Sequence, residues 1–296
     1  MSLFGRPTYG YGNRGGAMKW IIAIIIAAIG IITYLKSGQV NPVTGEKQYV
    51  AMTTDQEKAL GLQAAPQMAA EMGGAADPTR DPDARIVNEI GQKLVKATEA
   101  SRSPYSDNFH YHLLNDPKTV NAFALPGGQV FITRALYNRL ENEAQLAGVL
   151  GHETGHVIGR HSAQQMAKGK LGQMLAGAAG VATSDRGQGG AMAAQMVNQM
   201  MQLKYTRTDE LQADNFGLRY MTDAGYDPRE MLRVMTILKQ ASGGGGRGPD
   251  IFATHPDPDA RIEAIQQWLA ASADKLPRNL IAGRPLHSSS DRFTPR

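Results

Sequence analysis

The chain has 296 residues, of which 42% are hydrophobic, and it carries a formal net charge of +4. This composition supports a folded core and argues against a largely disordered chain. The positive charge lies mainly in the two tails, with no lysine-rich face or interleaved aromatic residues, so we expect no nucleic-acid partner. The absence of cysteine excludes thiolate metal ligands, disulfide bonds and a lipid-modified N-terminal cysteine.

The first 36 residues predict a membrane anchor. Residues 1–19 are rich in Gly, Tyr and Arg and are typical of a flexible arm, whereas residues 20–35 are almost continuously apolar. Such a run rises about 24 Å as a helix, slightly less than the hydrocarbon thickness, and Lys19 and Lys36 flank it. No small-x-small cleavage site follows, which favours an uncleaved anchor over a signal peptide. More positive charge precedes the run than follows it, so the N-terminus is expected in the cytoplasm and the rest outside.

The next segments predict one catalytic domain with short connections. Residues 36–50 are turn-bearing and are interpreted as a linker, residues 51–274 as the domain, and residues 275–296 as a loose tail. Within the domain, Thr54 begins a capping-box sequence and Asp81, followed by proline, predicts the start of a second helix.

Two stretches alternate in the manner of strands. Residues 109–113 place His110 and His112 on one face, for which a polar outer surface is a commoner meaning than a second metal site. Residues 119–133 predict a hairpin that turns at a Pro-Gly-Gly sequence.

The central motif follows the hairpin. Residues 151–156 read Gly-His-Glu-Thr-Gly-His and come directly after an apolar run at helical spacing. His152 and His156 are four residues apart, so on a helix they share one face and can bind the same cation. Glu153 faces the same cleft without reaching the metal. This is the H-E-x-x-H arrangement of a zinc peptidase, in which the glutamate moves protons. The alternative is an ordinary helix with two surface histidines.

The sequence offers two candidates for a third zinc ligand, because catalytic zinc usually takes three protein ligands. His161 nearly fits the metzincin pattern H-E-x-x-H-x-x-G-x-x-H, but Ser162 stands where its last histidine belongs. If the helix continues, five residues are a rotation of about 500°, which turns His161 away from the ligand face. Glu210, on a predicted second helix, is therefore favoured. Asp214, one turn later, can hydrogen-bond the outer N–H of a zinc histidine, although a solvated acidic face is the alternative for this pair.

Two glycine-rich segments lie near these candidates. Residues 168–200 are dominated by Gly, Ala, Met and Gln, with apolar runs too short to span a membrane. They could form a mobile lid, a pair of small-residue helices over the cleft, or packed helices without a special role. Residues 242–248 hold five glycines and predict a loop that lacks the flanking signals of a phosphate-binding loop.

Four motifs in this order resemble the membrane-associated zinc metallopeptidases of the CAAX prenyl endopeptidase and HtpX family, in their single-anchor or periplasmic bacterial form. The motifs are Asn121–Gly128, His152–His156, Glu210–Asp214, and His255 with Pro256 and Arg261. The resemblance implies an α+β, mostly α-helical zincin-like domain with a small sheet, behind one N-terminal transmembrane helix. It also implies one zinc ion per chain, with Glu210 as the third ligand and Asp214 as its supporting neighbour.

The resemblance further implies where substrate binds. It assigns substrate binding to the hairpin edge formed by Gly128, Gln129, Val130 and Phe131. It places His255 and Arg261 near the zinc, able to contact substrate, to stabilise the oxyanion or to block the open metal position. The multi-pass members of the family have several membrane helices, so a prenylated-peptide substrate is not expected.

The predicted function is cleavage of peptide bonds by a membrane-anchored zinc metalloendopeptidase, acting on protein or peptide substrates that are unfolded or misassembled envelope proteins. The predicted location is the bacterial inner membrane, with a single pass through residues 20–35, the N-terminus cytoplasmic and the catalytic domain periplasmic. Two alternatives stay open. One is a membrane-tethered chaperone or adaptor that holds clients without cutting, which Glu153 disfavours. The other is a metzincin-like protease, which Ser162 disfavours.

Overall fold

The computed structural model describes residues 14–183, 204–242, 251–256 and 258–287. The helices are α1 (Arg14–Lys36), α2 (Thr54–Glu71), α3 (Pro82–Ala97), α4 (Arg134–Tyr137), α5 (Glu143–Ile158), α6 (His161–Thr183), α7 (Arg207–Asp223), α8 (Glu230–Ser242), α9 (Ile251–Thr254) and α10 (Pro258–Ser272). The strands are β1 (Gly38–Val40), β2 (Lys47–Tyr49), β3 (His110–Leu114), β4 (Ala122–Ala124) and β5 (Gln129–Thr133). The mostly helical domain with a small sheet is confirmed.

Helix α1 contains the candidate membrane span. Within the described part of the chain, Ala17–Lys36 is the one stretch long and apolar enough to cross a membrane by length and composition, with a mean hydropathy of 2.2 and 11% of it buried. The helix starts at Arg14, so the end of the segment predicted as a flexible arm is helical, while residues 1–13 lie outside the described residues.

The residues predicted as a linker form an antiparallel hairpin, β1–β2. Its side chains contact the end of α5: Asn41 Nδ2 donates to Ile158 O and Gln48 Nε2 donates to Gly159 O, each at 2.8 Å. The last carbonyl groups of a helix have no hydrogen-bond donor within the helix, and the hairpin supplies donors to two of them. Strands of three residues are too short to be recognised by alternation, which is why the sequence indicated only a turn.

The three-stranded sheet has the order β3-β5-β4, with β3 parallel and β4 antiparallel to β5. The predicted hairpin is therefore β4–β5, and its turn contains Gly127 and Gly128, both at positive φ. Strand β5 is paired on both sides and fully buried. The prediction that residues 128–131 form a free edge is wrong, because β3 pairs with β5 from a distant part of the chain. The outer strand of the hairpin is β4.

Helix α5 lies in the middle of the core, and each of its residues is buried. Helix α7 approaches it closely, because α5 has glycine where the two helices meet. A Cβ atom on Gly151 would lie 3.2 Å from Cα of Gly217, and one on Gly155 would lie 3.0 Å from the carbonyl oxygen of Ala213. Larger side chains there would push α7 away from the motif on α5.

The helix starts follow capping chemistry. Asp81 accepts hydrogen bonds from the backbone N–H of Asp83 and Ala84, as its position before proline predicted. The capping box of α2 lies one residue earlier than predicted, with Thr53 as the cap and Gln56 as its partner. Helix α7 begins with a capping box between Thr206 and Asp209.

The tail is ordered where it is described. The backbone N–H of Ala144 donates to Ala282 O, and that of Leu286 donates to Glu141 O. Residues 281–287 therefore pack on the start of α5 and are not loose, while residues 288–296 lie outside the described part.

Candidate metal centre

Four side chains converge between α5, α7 and the segment after α9. His152, His156, Glu210 and His255 each offer a ligand atom, these atoms lie within 4.8 Å of one another, and all four residues are buried. The Nε2 atoms of His152 and His156 are 3.0 Å apart, and the Glu210 carboxylate lies 3.4 Å from His156 Nε2 and 3.6 Å from His152 Nε2. The three residues predicted as zinc ligands thus face one point.

The donor set fits zinc. Two imidazoles and one carboxylate are an ordinary catalytic zinc set, and two Zn–N bonds of about 2.05 Å at a tetrahedral angle separate the nitrogens by about 3.3 Å. The two imidazole nitrogens lie 3.0 Å apart beside a carboxylate, so all three groups can direct lone pairs at one cation. In addition, Nε2 of His255 and Oε2 of Glu153 are buried and have no hydrogen-bond partner among the described residues.

The charges in the centre match what a metal site requires. Burial alone would raise the pKa of the Glu210 carboxyl, but His255, His156 and Arg261 outweigh it and hold that pKa far below its usual range. Burial also holds the pKa of His156 well below its usual value. An ionised carboxylate and a neutral imidazole are the protonation states that bind metal.

Asp214 and Arg261 support the ligands from behind. Asp214 Oδ1 lies 2.8 Å from Nδ1 of His152, so its carboxylate accepts that N–H when Nε2 faces the metal. Arg261 donates through Nε to Asp214 Oδ2 at 2.7 Å, and its Nη1 lies 2.9 Å from Oε2 of Glu210. Arg261 therefore orients two acidic groups, and its charge offsets theirs.

His161 is closer to the centre than the sequence suggested. Helix α5 ends at Ile158, and Arg160 adopts a left-handed conformation with φ 55°, so the chain turns before α6 begins at His161. The assumption of a continuing helix is wrong for this reason. His161 is not among the clustered ligands, but its Nδ1 lies 2.8 Å from Nδ1 of His156. Gly159 makes room for the ring, since a Cβ atom there would lie 2.3 Å from His161 Nε2.

A chain of hydrogen bonds continues outward from His161. Its Nε2 lies 2.7 Å from Oε1 of Gln212, and Nε2 of Gln212 donates to Oε2 of Glu46 at 2.7 Å. If metal occupies Nε2 of His156, the His156 proton sits on Nδ1 and donates to His161, and His161 donates to Gln212. Each donor in this series then meets an acceptor. Sequence reasoning missed Gln212 and Glu46, because nothing in their local pattern distinguishes them from surface residues.

Tyr205 is another residue that the sequence did not single out. Its ring stacks on His156 with 3.9 Å between centroids, and its hydroxyl lies 2.9 Å from Oγ of Ser162. Ser162 Oγ is also 3.5 Å from the carbonyl oxygen of Ala124 in β4. These contacts connect the outer strand of the sheet to the metal centre. By contrast, Phe131 lies in the central strand, where its ring stacks on Phe123 and His112.

A histidine pair on a buried helix, a glutamate from a second helix and a small sheet beside them define a zincin-type metallopeptidase. Residues 82–269 match the family model described as Peptidase family M48. The chain therefore belongs to peptidase family M48. The predicted family, the zinc cofactor and the assignment as a metallopeptidase acting on protein substrates are confirmed at this level.

Curated relatives agree with this assignment. The chain is 28% identical over 256 residues to the mitochondrial metalloendopeptidase OMA1 of Schizosaccharomyces pombe, covering 86% of this chain and 73% of the relative. It is 31% identical over 231 residues to the beta-barrel assembly-enhancing protease of Yersinia pestis, and 29% identical over 259 residues to that of Escherichia coli strain K12. These matches cover 75% and 82% of this chain, but it spans only 45% and 51% of the two bacterial proteins.

Proposed function

We propose that the chain is a membrane-anchored endopeptidase that cleaves unfolded or misassembled proteins of the bacterial envelope. The observation that carries the catalytic part is the convergence of His152, His156 and Glu210 beside the buried carboxyl group of Glu153. The name of the bacterial relatives, beta-barrel assembly-enhancing protease, supports envelope proteins as the substrate class.

His152, His156 and Glu210 would hold the zinc ion. When bound, zinc would polarise the scissile carbonyl group and lower the pKa of the attacking water. Glu153 takes the proton from that water and returns it to the leaving nitrogen. Burial raises the pKa of Glu153, against the opposing effect of His255 and His152, and a raised pKa makes a carboxylate a better proton acceptor. Within the part of the chain that the structure describes, its Oε2 atom has no hydrogen-bond partner that would compete for that role.

Arg261 and His255 have different roles in this proposal. The donors of Arg261 contact Asp214 and Glu210, so it positions the metal-binding side chains and is not left free to stabilise an oxyanion. His255 lies within the group of potential ligands, with Nδ1 3.0 Å from Oε1 of Glu210 and Nε2 3.7 Å from Glu153. A fourth protein ligand would fill the position that water needs. We therefore assign His255 the role of a latch that holds the resting enzyme inactive.

The substrate strand is proposed to lie along β4. Asn121 and Leu125 exchange backbone hydrogen bonds with β5, so by alternation the backbone groups of Ala122 and Ala124 point away from it. An extended peptide can add to such an edge through main-chain hydrogen bonds. Ser162 Oγ, 3.5 Å from the carbonyl oxygen of Ala124, makes only a weak contact that an incoming peptide could replace.

The location is also a proposal. Helix α1 would span the inner membrane through residues 20–35, with the N-terminus in the cytoplasm and the domain in the periplasm, because Arg6, Arg14 and Lys19 precede the apolar run and Lys36 follows it. Active alkaline phosphatase fused after the last residue would support this orientation, and a fusion that is inactive but present in the membrane would reverse it.

The competing function is a chaperone or adaptor that binds clients without cutting them. Purified wild-type protein, Glu153→Gln and the exposed control Glu89→Gln are compared for zinc content and casein degradation, with and without chelator. We expect all three to carry zinc, and only Glu153→Gln to lose degradation, by several orders of magnitude. Full degradation by Glu153→Gln would refute the catalytic assignment, and zinc-loaded wild-type protein that binds casein without cutting it would favour the chaperone.

A further inference from the structure

The outer half of α6 packs against α1. Helix α1 ends at Lys36 and α6 begins at His161 in the metal centre, so both leave the domain from the same side and run in opposite chain directions. A Cβ atom on Gly30 would lie 3.3 Å from Cβ of Met174 and 3.6 Å from Cδ1 of Leu171. The two helices are therefore in direct van der Waals contact halfway along the apolar run.

The contact continues away from the domain. Ala23 lies seven residues before Gly30 on the same face of α1, and it is 6% exposed. Ala178 lies four residues after Met174 on the same face of α6, and it is 4% exposed. Small residues at such positions let helices approach closely. The packed face thus extends about 10 Å beyond Gly30, along the part of α1 with membrane-spanning composition.

The last charged residue before the uncharged stretch lies at the same height on both helices. Residues 171–183 of α6 contain no charged side chain, and Lys170 immediately precedes them. Residues 20–35 of α1 likewise contain none, and Lys36 immediately follows them. Lys170 and Tyr34 line the same small cavity between the helices, so the two uncharged stretches begin side by side.

We propose that α6 is a second membrane-contacting element, with residues 171–183 inserted into the hydrocarbon layer beside α1 and lipid acyl chains covering the outward face of residues 171–179. This rests on the proposed anchor: if residues 20–35 span the bilayer, a helix packed on Gly30 lies at the same depth. The thirteen described residues rise about 20 Å, so this part of α6 reaches about two thirds of the way through a hydrocarbon layer of about 30 Å. Its helical backbone is internally hydrogen-bonded, as that environment requires.

The inserted segment would also set the distance of the metal centre from the membrane surface. Nine residues of α6 separate His161, which contacts His156, from Lys170 at the level where charge stops. That is a rise of about 14 Å. The active-site cleft would therefore face chains at the membrane surface and not those in bulk solution. Of the alternatives for residues 168–200, helices packed away from the cleft describe residues 171–174, which contact α1, while residues 184–200 are outside the described part.

Spin labels can test this placement without background, because the chain has no cysteine. Leu175→Cys and Lys168→Cys are seven residues apart on the same exposed face of α6, and Ile25→Cys reports on α1. Each full-length variant is labelled and reconstituted in phosphatidylethanolamine–phosphatidylglycerol vesicles. Collision rates are measured with oxygen, which concentrates in lipid, and with nickel ethylenediaminediacetate, which stays in water. We expect labels at 25 and 175 to favour oxygen several-fold and the label at 168 to favour nickel.

The other outcomes separate this inference from the anchor. Oxygen preference at 25 with nickel preference at 175 would overturn the inserted segment and leave the anchor intact. Low collision with both reagents at 175 would mean that protein and not lipid covers this face, which also overturns it. Nickel preference at 25 would refute the anchor, and the inserted segment with it.

A disulfide tests the helix pairing itself. The pair Gly30→Cys and Met174→Cys places the Cβ atoms at about the separation that a disulfide requires, since the built distance is 3.3 Å. We expect this pair to cross-link on mild oxidation in membranes, and the control pair Gly30→Cys and Ala176→Cys, whose second position is exposed on the opposite face of α6, to stay reduced. Equal cross-linking of both pairs, or none in the first, would overturn the packing on which the inference depends.

Discussion

Replacing His161 by alanine is expected to weaken zinc binding without emptying the site. With zinc bound through Nε2 of His156, the remaining proton of that ring would sit on Nδ1, which lies 2.8 Å from Nδ1 of His161, the atom that would accept it. In the metal-free protein, His156 can carry its proton on either nitrogen, so the acceptor is required chiefly when metal is bound. The loss therefore appears in the dissociation constant of zinc.

The structure bounds the size of this effect. His156 is 1% exposed, so its N–H would be left buried without an acceptor, which costs about 1–3 kcal/mol. Water entering the space left by the imidazole would reduce that cost. Losing a partner of a metal ligand usually weakens metal affinity by about 10–100-fold, or about 1.4–2.7 kcal/mol, which agrees with this range.

Competition with a chromophoric chelator measures the zinc dissociation constant of wild type, His161→Ala and the exposed control His110→Ala. His161→Asn tests rescue, because its side-chain oxygen can still accept a hydrogen bond. Nitrogen-15 NMR of the histidine side chains should show the proton of His156 on Nδ1 in the wild type and a changed Nδ1 shift in His161→Ala. A dissociation constant unchanged within about twofold would refute the reasoning, and an empty site in His161→Ala with a full one in Glu210→Ala would make His161 the ligand.

Four further results are expected. Glu210→Ala should lose zinc and activity in a metal assay, because two histidines are too few to hold it in a catalytic site. His255→Ala should raise basal casein degradation, whereas unchanged or lower activity would favour a substrate contact. Chelator should lower the melting temperature of the wild type, since bound metal stabilises the folded state, and re-added zinc should restore it. Burial would raise the pKa of Asp81, but Arg134 and backbone N–H groups hold it below its usual value. Its stabilisation is thus full above the unfolded value of about 3.9 and lost as pH falls through the folded value, so Asp81→Ala should lose about 1–2 kcal/mol at pH 7 and less at pH 3 in denaturant titrations.

Local periodicity accounts for what the sequence predicted well. His152 and His156 share a helix face because they are four residues apart, and that geometry holds wherever the helix lies. The cap at Asp81 and the turn of the β4–β5 hairpin are equally local, since each depends on the conformational preferences of two or three neighbouring residues. Glu210 was placed through its chemistry and the family resemblance, because no periodicity connects residues in separate helices.

Non-local contacts and one backbone turn account for the errors. Strand β3 pairs with β5 although no turn sequence joins the two strands. The sequence therefore predicts β5 as the edge of the hairpin, whereas it is the central strand of the sheet. The orientation predicted for His161 assumes that α5 continues, but Arg160 in a left-handed conformation redirects the chain and brings His161 back to His156, although not into the group of potential ligands. The preceding Gly159 was the available sign of a helix end.

The hairpin after α1 contacts the end of the metal-binding helix and does more than connect α1 to the rest of the domain. Asn41 and Gln48 cap the carbonyl end of α5 at 2.8 Å each, and Glu46 ends the hydrogen-bond series that begins at His156. Helix α6, whose first residue is a member of that series, returns along α1. Two segments therefore contact the end of α5: the β1–β2 hairpin, which continues from α1, and the first residue of α6. We therefore expect a shift of α1 against α6 to move the side chains that contact His156, because both helices are joined directly to this hydrogen-bond series.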